Sequence, residues 1–214
     1  MTGQRTLTEL IAEAAAQPVE GWDFSWLAGR ATEERPAWGY SGLLAERLAT
    51  ARSVLDIQTG GGEVLAGALR SSDHGPAVLA ATESWPPNVA LARRALAPWH
   101  GGVVRAADAG GLPFRSAGFG LVISRHPTTT VWPEIARVLA PGGTYLSQQI
   151  GPGTNRELTD FMMGPQPVNQ ARSPQRAEAA AVAAGLVVTE LRTQALRVEF
   201  FDVGAVVYFL RKVL

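Results

Sequence analysis

Three acids draw attention because of where they fall. Asp56, Glu83 and Asp108 each close a short β-like run, and Thr59 with the glycines Gly60, Gly61 and Gly62 follows the first of them. A carboxylate accepts hydrogen bonds from vicinal hydroxyls, so an acid about 20 residues past a glycine turn suits a ribose. Glycine lets the backbone turn tightly and approach a ligand with no Cβ in the way. The helix behind the turn then offers unpaired N–H groups to a polar ligand atom. Alone, the glycines also allow a plain strand-to-helix turn. With three acids in register they point to a site for a nucleotide-like, adenosine-bearing cofactor.

A second group of candidates follows the apolar run 119–124: Arg125, His126 and Pro127. His126 is the histidine placed for general-base work, since an imidazole changes charge near neutral pH. The alternative is a histidine that hydrogen-bonds backbone in a tight turn ended by proline. Arg125 could hold an anionic substrate group or the cofactor's carboxylate, or pair with a loop acid such as Asp108. His74 and His100 read as loop residues. Gln148 and Gln149 end the run 143–150, where they could meet substrate or satisfy backbone.

These residues need strands and helices to bring them together. Val54, Leu55 and Ile57 form a short buried strand, and residues 63–69 carry an amphipathic helix. Further runs at 77–83, 103–108, 119–124, 143–150 and 186–191 read as strands, with helices between them. Alternating strands and helices predict an α/β fold with a doubly wound, mostly parallel sheet, whose ligands bind beyond the carboxyl ends of the strands. Thr6 and Glu9 form a capping box for an N-terminal helix, and Pro18 stops it. An aromatic cluster follows (Trp22, Phe24, Trp26, Trp38 and Tyr40), then a second helix over 40–50 with Leu43, Leu44 and Leu48 as its buried face. Ser173 caps a helix over 174–184 that starts with Pro174, and an apolar helix spans 202–212.

With these motifs the chain resembles the class I S-adenosylmethionine-dependent methyltransferases over most of its length. Their glycine motif runs acid-x-Gly-x-Gly-x-Gly; Asp56, Gly60 and Gly62 fall on it, and Gln58 replaces the first glycine. Residues 112–122 look like the family's LPF-x-x-x-x-FD-x-V segment, with Gly120 in the usual Asp position. Glu134 to Gly143 is similar to its E-x-x-RVL-x-PGG passage. The resemblance implies a cofactor lying across Thr59 to Gly62, its ribose on Glu83 and its adenine near Asp108, Ala109 and Gly110. It also implies a cover formed by residues 1–50 over a core of 51–214, all one domain, with Trp22, Trp38 and Tyr40 contacting the cofactor or closing the pocket. Packing of those rings against the sheet is the competing reading. The family sheet closes with an antiparallel strand, which residues 195–200 would supply unless the chain is shortened before it; the apolar ending favours shortening.

Ser124-Arg125-His126-Pro127 does not match the Asn/Asp-Pro-Pro-aromatic tetrad of enzymes that methylate amines of bases or glutamine. The 214 residues carry 19 basic and 19 acidic side chains and no basic stripe, which argues against nucleic acid as the main partner. Zero cysteines exclude disulfides and cysteine nucleophiles, and no metal ligand set is apparent. No run of about 18 apolar residues and no secretory leader is seen, so a soluble cytoplasmic domain is expected. The expected function is methyl transfer from S-adenosylmethionine to a small molecule. Methylation of RNA or protein, a non-catalytic S-adenosylmethionine-binding module and, more remotely, a nicotinamide dehydrogenase stay as alternatives. The last lacks the Gly-x-Gly-x-x-Gly spacing, because position 65 is Leu.

Overall fold

The computed structural model describes residues 5–21, 23–72, 75–168 and 170–213; Trp22 and His74 lie outside them. In chain order the elements are α1 (Leu7–Ala15), β1 (Ala31–Glu33), α2 (Tyr40–Leu48), β2 (Ser53–Asp56), α3 (Glu63–Arg70), β3 (Val78–Glu83), α4 (Pro86–Leu96) and β4 (Gly102–Arg105). There follow β5 (Phe119–Arg125), α5 (Trp132–Val138), β6 (Leu139–Gln148), α6 (Arg156–Met163), α7 (Pro174–Ala183), β7 (Val198–Phe200) and α8 (Val203–Val213).

Five strands form a parallel sheet in the order β4-β3-β2-β5-β6. Strand side chains alternate between faces, so a strand covered on both sides must be apolar throughout. Val54 and Leu121 pair in register and enter one core with Leu44, Leu65 and Leu96 of α2, α3 and α4. Leu55 and Val122, one residue on, enter the other core with Ile135 and Val138 of α5. Helices on both faces make the sheet doubly wound, as expected. Because the chain proceeds outward from β2 through β3 to β4, then returns to β5 on β2's other side, the order reverses between β2 and β5. Ligands of open α/β sheets bind beyond the strand ends at such a point.

The N-terminal helix forms with its capping box intact: Glu9 N–H donates to Thr6 Oγ1 and Thr6 N–H to the Glu9 carboxylate. It packs on α8, where Arg211 donates to the Ala14 carbonyl at 2.7 Å. Arg30 bridges Glu13 and Asp202 at 3.0 and 3.1 Å and stacks on Trp26, 3.9 Å from its ring centre. The aromatic cluster therefore divides. Phe24 and Trp26 pack on Tyr208 of α8, while Tyr40 is buried under α2 against the sheet.

Three expectations need correction. Residues 186–191 pair with no strand among the described residues; Leu186 packs against the core that holds Leu55, Val122 and Ile135, whereas Val187 is 86 % exposed. Residues 198–200 do form an antiparallel strand, but β7 pairs with β1 of the N-terminal segment instead of closing the main sheet. Ala37 N–H to Gln194 Oε1 and Glu34 N–H to the Arg197 carbonyl hold the approach to β7 against the same segment. The chain after α7 is thereby committed to β1, which draws it off the edge of β6. Finally, β4 ends at Arg105, so Asp108 lies in the turn beyond it, not at the strand's end. No helix among the described residues is long and apolar enough to cross a membrane.

Candidate active site at the switch point

The turn leaving β2 reverses the chain within a few residues, and the backbone shows how. Gln58, Gly60 and Gly62 have φ of +58°, +64° and +82°, the left-handed region. At Gly62 a Cβ would also stand 3.2 Å from the Ala92 Cα of α4, so helix packing and backbone angle both demand glycine. The turn is sewn to its neighbours: Thr59 N–H donates to the Thr82 carbonyl at 2.9 Å and Gln58 N–H to Thr82 Oγ1 at 3.2 Å.

Two of the expected acids sit here, both buried. Asp56 Oδ2 accepts from Thr59 Oγ1 at 2.6 Å. Burial disfavours its charge and the nearby Glu83 adds to this, so its pKa is pushed up to about 7. Glu83 accepts the Gly60 N–H at 2.8 Å through one oxygen and the N–H groups of Ser84 and Trp85 at 3.0 and 2.9 Å through the other. Burial raises its pKa, and these three backbone donors offset part of the rise. Asp108 approaches from the loop after β4, where it accepts from Thr128 Oγ1 at 2.8 Å; Ala109 and Gly110 continue that turn.

At the end of β5, Gln148 holds the next two residues. His126 N–H donates to its carbonyl at 2.7 Å and Arg125 Nε to its side-chain oxygen at 3.1 Å. This answers the earlier question about Gln148: it satisfies its neighbours on β5. His126 has φ +53° and is neutral, its pKa pushed down to about 4 by burial and by Arg125 and Arg35. Arg125 pairs with no carboxylate among the described residues; burial, then Arg35, lowers its pKa.

A cleft of about 370 Å³, mouth included, lies between these elements, lined by Tyr40, Asp56, Thr59, Ile123, Arg125 and His126 among others. A neighbouring one of about 280 Å³ is lined by Asp108, Gly110, Leu112, Pro127 and Tyr145 among others. Tyr40, expected as a pocket residue, is there, its hydroxyl donating to the Ser124 carbonyl at 3.3 Å. Trp38 is half-buried ahead of α2 and lines neither cleft. The sequence reading missed the hydroxyl group beneath the site: Ser124 Oγ lies 2.6 Å from Tyr145 Oη and 3.0 Å from Ser147 Oγ. Its signal was polar residues within otherwise apolar strands; Ser124 and Ser147 are register partners. Among the described residues no cluster of acids or histidines could hold a metal ion.

The residues suit an adenosine-bearing cofactor on structural grounds: a turn with positive φ and little room for a Cβ at Gly62, a buried carboxylate at its side, and a second acid across the adjoining cleft. Residues 55–147 match the family model described as a methyltransferase domain. Over this segment, from β2 to β6, the chain is similar to that family. None of the curated proteins matches it. Among solved structures the chain is similar to one in the complex between the Haloferax volcanii Trm112 methyltransferase activator and a candidate methyltransferase. The identity is 22 %, over 85 % of this chain and 78 % of that one, with a TM-score of 0.56. A SAM-dependent methyltransferase from Aquifex aeolicus is 14 % identical over 85 % and 89 % of the two chains, TM-score 0.53. PigF with SAH is 21 % identical over 75 % of this chain and 54 % of that one, TM-score 0.52. At these identities the likeness is one of fold.

Proposed function

We propose that the protein is an S-adenosylmethionine-dependent methyltransferase acting on a small molecule bound beside His126 and Arg125, with the cofactor laid from the cleft at Asp56 and Thr59 toward Asp108. In this reading Thr59 to Gly62 cradle the cofactor, Glu83 takes the ribose hydroxyls, and Asp108, Ala109 and Gly110 flank the adenine. Asp56 and Tyr40 shape the cleft, and residues 1–50 and 51–214 work as one unit. S-adenosylmethionine supplies an already electrophilic methyl group, so the protein's tasks are to align an acceptor and exclude water. His126 is the group that could take a proton from a hydroxyl or phenol acceptor, because burial keeps its imidazole neutral.

The observation that carries this reading is the convergence of Asp56, Thr59, Arg125 and His126 on one cleft at the switch point. The balanced charge of the chain supports a small acceptor over a nucleic acid. Methylation of a macromolecule is the second reading. It draws on the exposed end of α6, where Phe161 is 89 % accessible beside Met162 and Met163, after the loop that leaves β6 on the ligand edge. Calorimetric titration with S-adenosylmethionine and S-adenosylhomocysteine comes first. Incubation with hydroxyl- and amine-bearing small molecules follows, read by release of S-adenosylhomocysteine. Binding with release supports the proposal; binding with release only in the presence of RNA or protein shifts it to the second reading; no binding by folded protein overturns both.

A further inference from the structure

Gln58 occupies a position where glycine would be free of strain. Its φ of +58° is one that residues with a Cβ rarely adopt, and the matching place in the family motif is glycine. The side chain spans the site. Gln58 Oε1 accepts the Thr128 N–H at 2.6 Å, and Gln58 Nε2 donates to the Thr129 carbonyl at 2.7 Å. A carboxamide thus pairs with the loop after β5 as a neighbouring strand would. Thr128 Oγ1 lies 3.2 Å from Gln58 Oε1 and 2.8 Å from Asp108 Oδ2. One hydroxyl proton cannot serve both acceptors, and the shorter contact, to the carboxylate, takes it. Gln58, Thr128 and Asp108 therefore connect the glycine turn, the loop after β5 and the loop after β4. Gln58 lines the cleft that holds Arg125 and His126, whereas Thr129 and Asp108 line the other, so the bridge stands between the two.

We propose that Gln58 is a positioning residue: its carboxamide holds the loop after β5 against the glycine turn and, through Thr128, sets the Asp108 carboxylate for the adenine side of the cofactor. The inference rests on the proposed cofactor placement, but the clamp itself can be tested apart from it. A glycine at this position suits the backbone angle, so a purely structural role and a positioning role predict different things for Gln58→Gly.

The experiment compares the full chain, Gln58→Gly and Gln58→Glu by amide exchange at Thr128, thermal unfolding, and calorimetry with S-adenosylhomocysteine and adenosine. In Gln58→Gly the Thr128 amide should exchange about tenfold faster or more, and both ligands should bind about tenfold more weakly, while the melting temperature holds or rises. Gln58→Glu keeps the acceptor for Thr128 but sets a carboxylate oxygen against the Thr129 carbonyl and beside Asp108, so it should weaken binding at least as much as glycine does, and it decides the matter if the glycine variant does not fold. Unchanged affinity and unchanged Thr128 exchange overturn the clamp. Weaker binding of S-adenosylhomocysteine with adenosine unaffected overturns the route through Asp108. A loss that tracks a lowered melting temperature assigns Gln58 to stability alone and overturns positioning. Failure of the unaltered chain to bind either ligand removes the cofactor reading and is seen separately from the exchange result.

Discussion

Glu83 and Gly60, 23 residues apart in sequence, meet across the switch point, the carboxylate accepting the glycine N–H at 2.8 Å. The other carboxylate oxygen takes the N–H groups of Ser84 and Trp85, at the entry to α4. One buried side chain thus closes the turn beside α3 and ties down the two residues ahead of α4. A carboxylate has about four lone-pair sites, so after these three bonds about one remains, on the oxygen facing Gly60, for a ligand hydroxyl. Glu83→Ala should lower stability by about 1–3 kcal/mol by stranding the three donors, and weaken cofactor binding by a similar amount. Urea unfolding and calorimetry with S-adenosylhomocysteine separate the two. Reduced stability with undiminished affinity would remove the ribose assignment.

Asp56 and His126 make opposed contributions to stability against pH. Burial raises the Asp56 pKa from 3.8 to about 7, so the folded chain holds a proton that the unfolded chain releases; stability is lost as pH rises through this window. Burial and two arginines lower the His126 pKa from 6.5 to about 4, so the folded chain excludes a proton that the unfolded chain takes up; stability is lost as pH falls through that window. The windows overlap, and the two slopes offset each other. Asp56→Asn should therefore make the protein gain stability from about pH 5 to about pH 7 relative to the parent, and His126→Asn should make it lose stability over the same range. Urea titrations at the two pH values check both; slopes of one sign in both variants would refute the opposition.

His126→Asn also addresses chemistry. Asparagine tolerates the positive φ at this position, so the turn after β5 should survive. With an acceptor in hand, transfer is expected to slow about 100-fold while affinity for S-adenosylhomocysteine is kept. A parallel loss of affinity would make His126 a binding residue instead of a base.

Arg125 presents a half-buried guanidinium whose Nε is held by Gln148 and which lacks a carboxylate partner among the described residues. If it receives the carboxylate of the cofactor, S-adenosylhomocysteine should bind far better than 5′-methylthioadenosine, which has none. In Arg125→Gln that preference should shrink about tenfold or more, since hydrogen bonds to charged groups are the strong ones. A preference left intact would turn Arg125 toward an anionic group on the acceptor.

The strands through 54–57 and 119–124, the capping box at Thr6 and the Ser173-Pro174 helix start were legible in the sequence because each depends on neighbours a few residues away. So was the pairing of a glycine turn with Glu83, because fold geometry sets that spacing. The partner of residues 198–200 was not. An apolar run announces a strand, yet which edge receives it depends on segments more than 150 positions distant, here Ala31–Glu33. Gln58 showed only as an irregular letter in a motif; its hold on Thr128, 70 residues away, exists once two loops are brought face to face.

By itself, then, the sequence determined the alternation of strands and helices, the glycine turn and the acids that flank it, since periodicity, capping and φ preference are local properties. Tertiary structure alone decided the neutral state of His126, the placing of Asp108 beyond its strand, the union of the two chain ends through β1 and β7, and the bridge across the site. Each of these follows from burial or from contact between distant residues, and no local pattern encodes such distances.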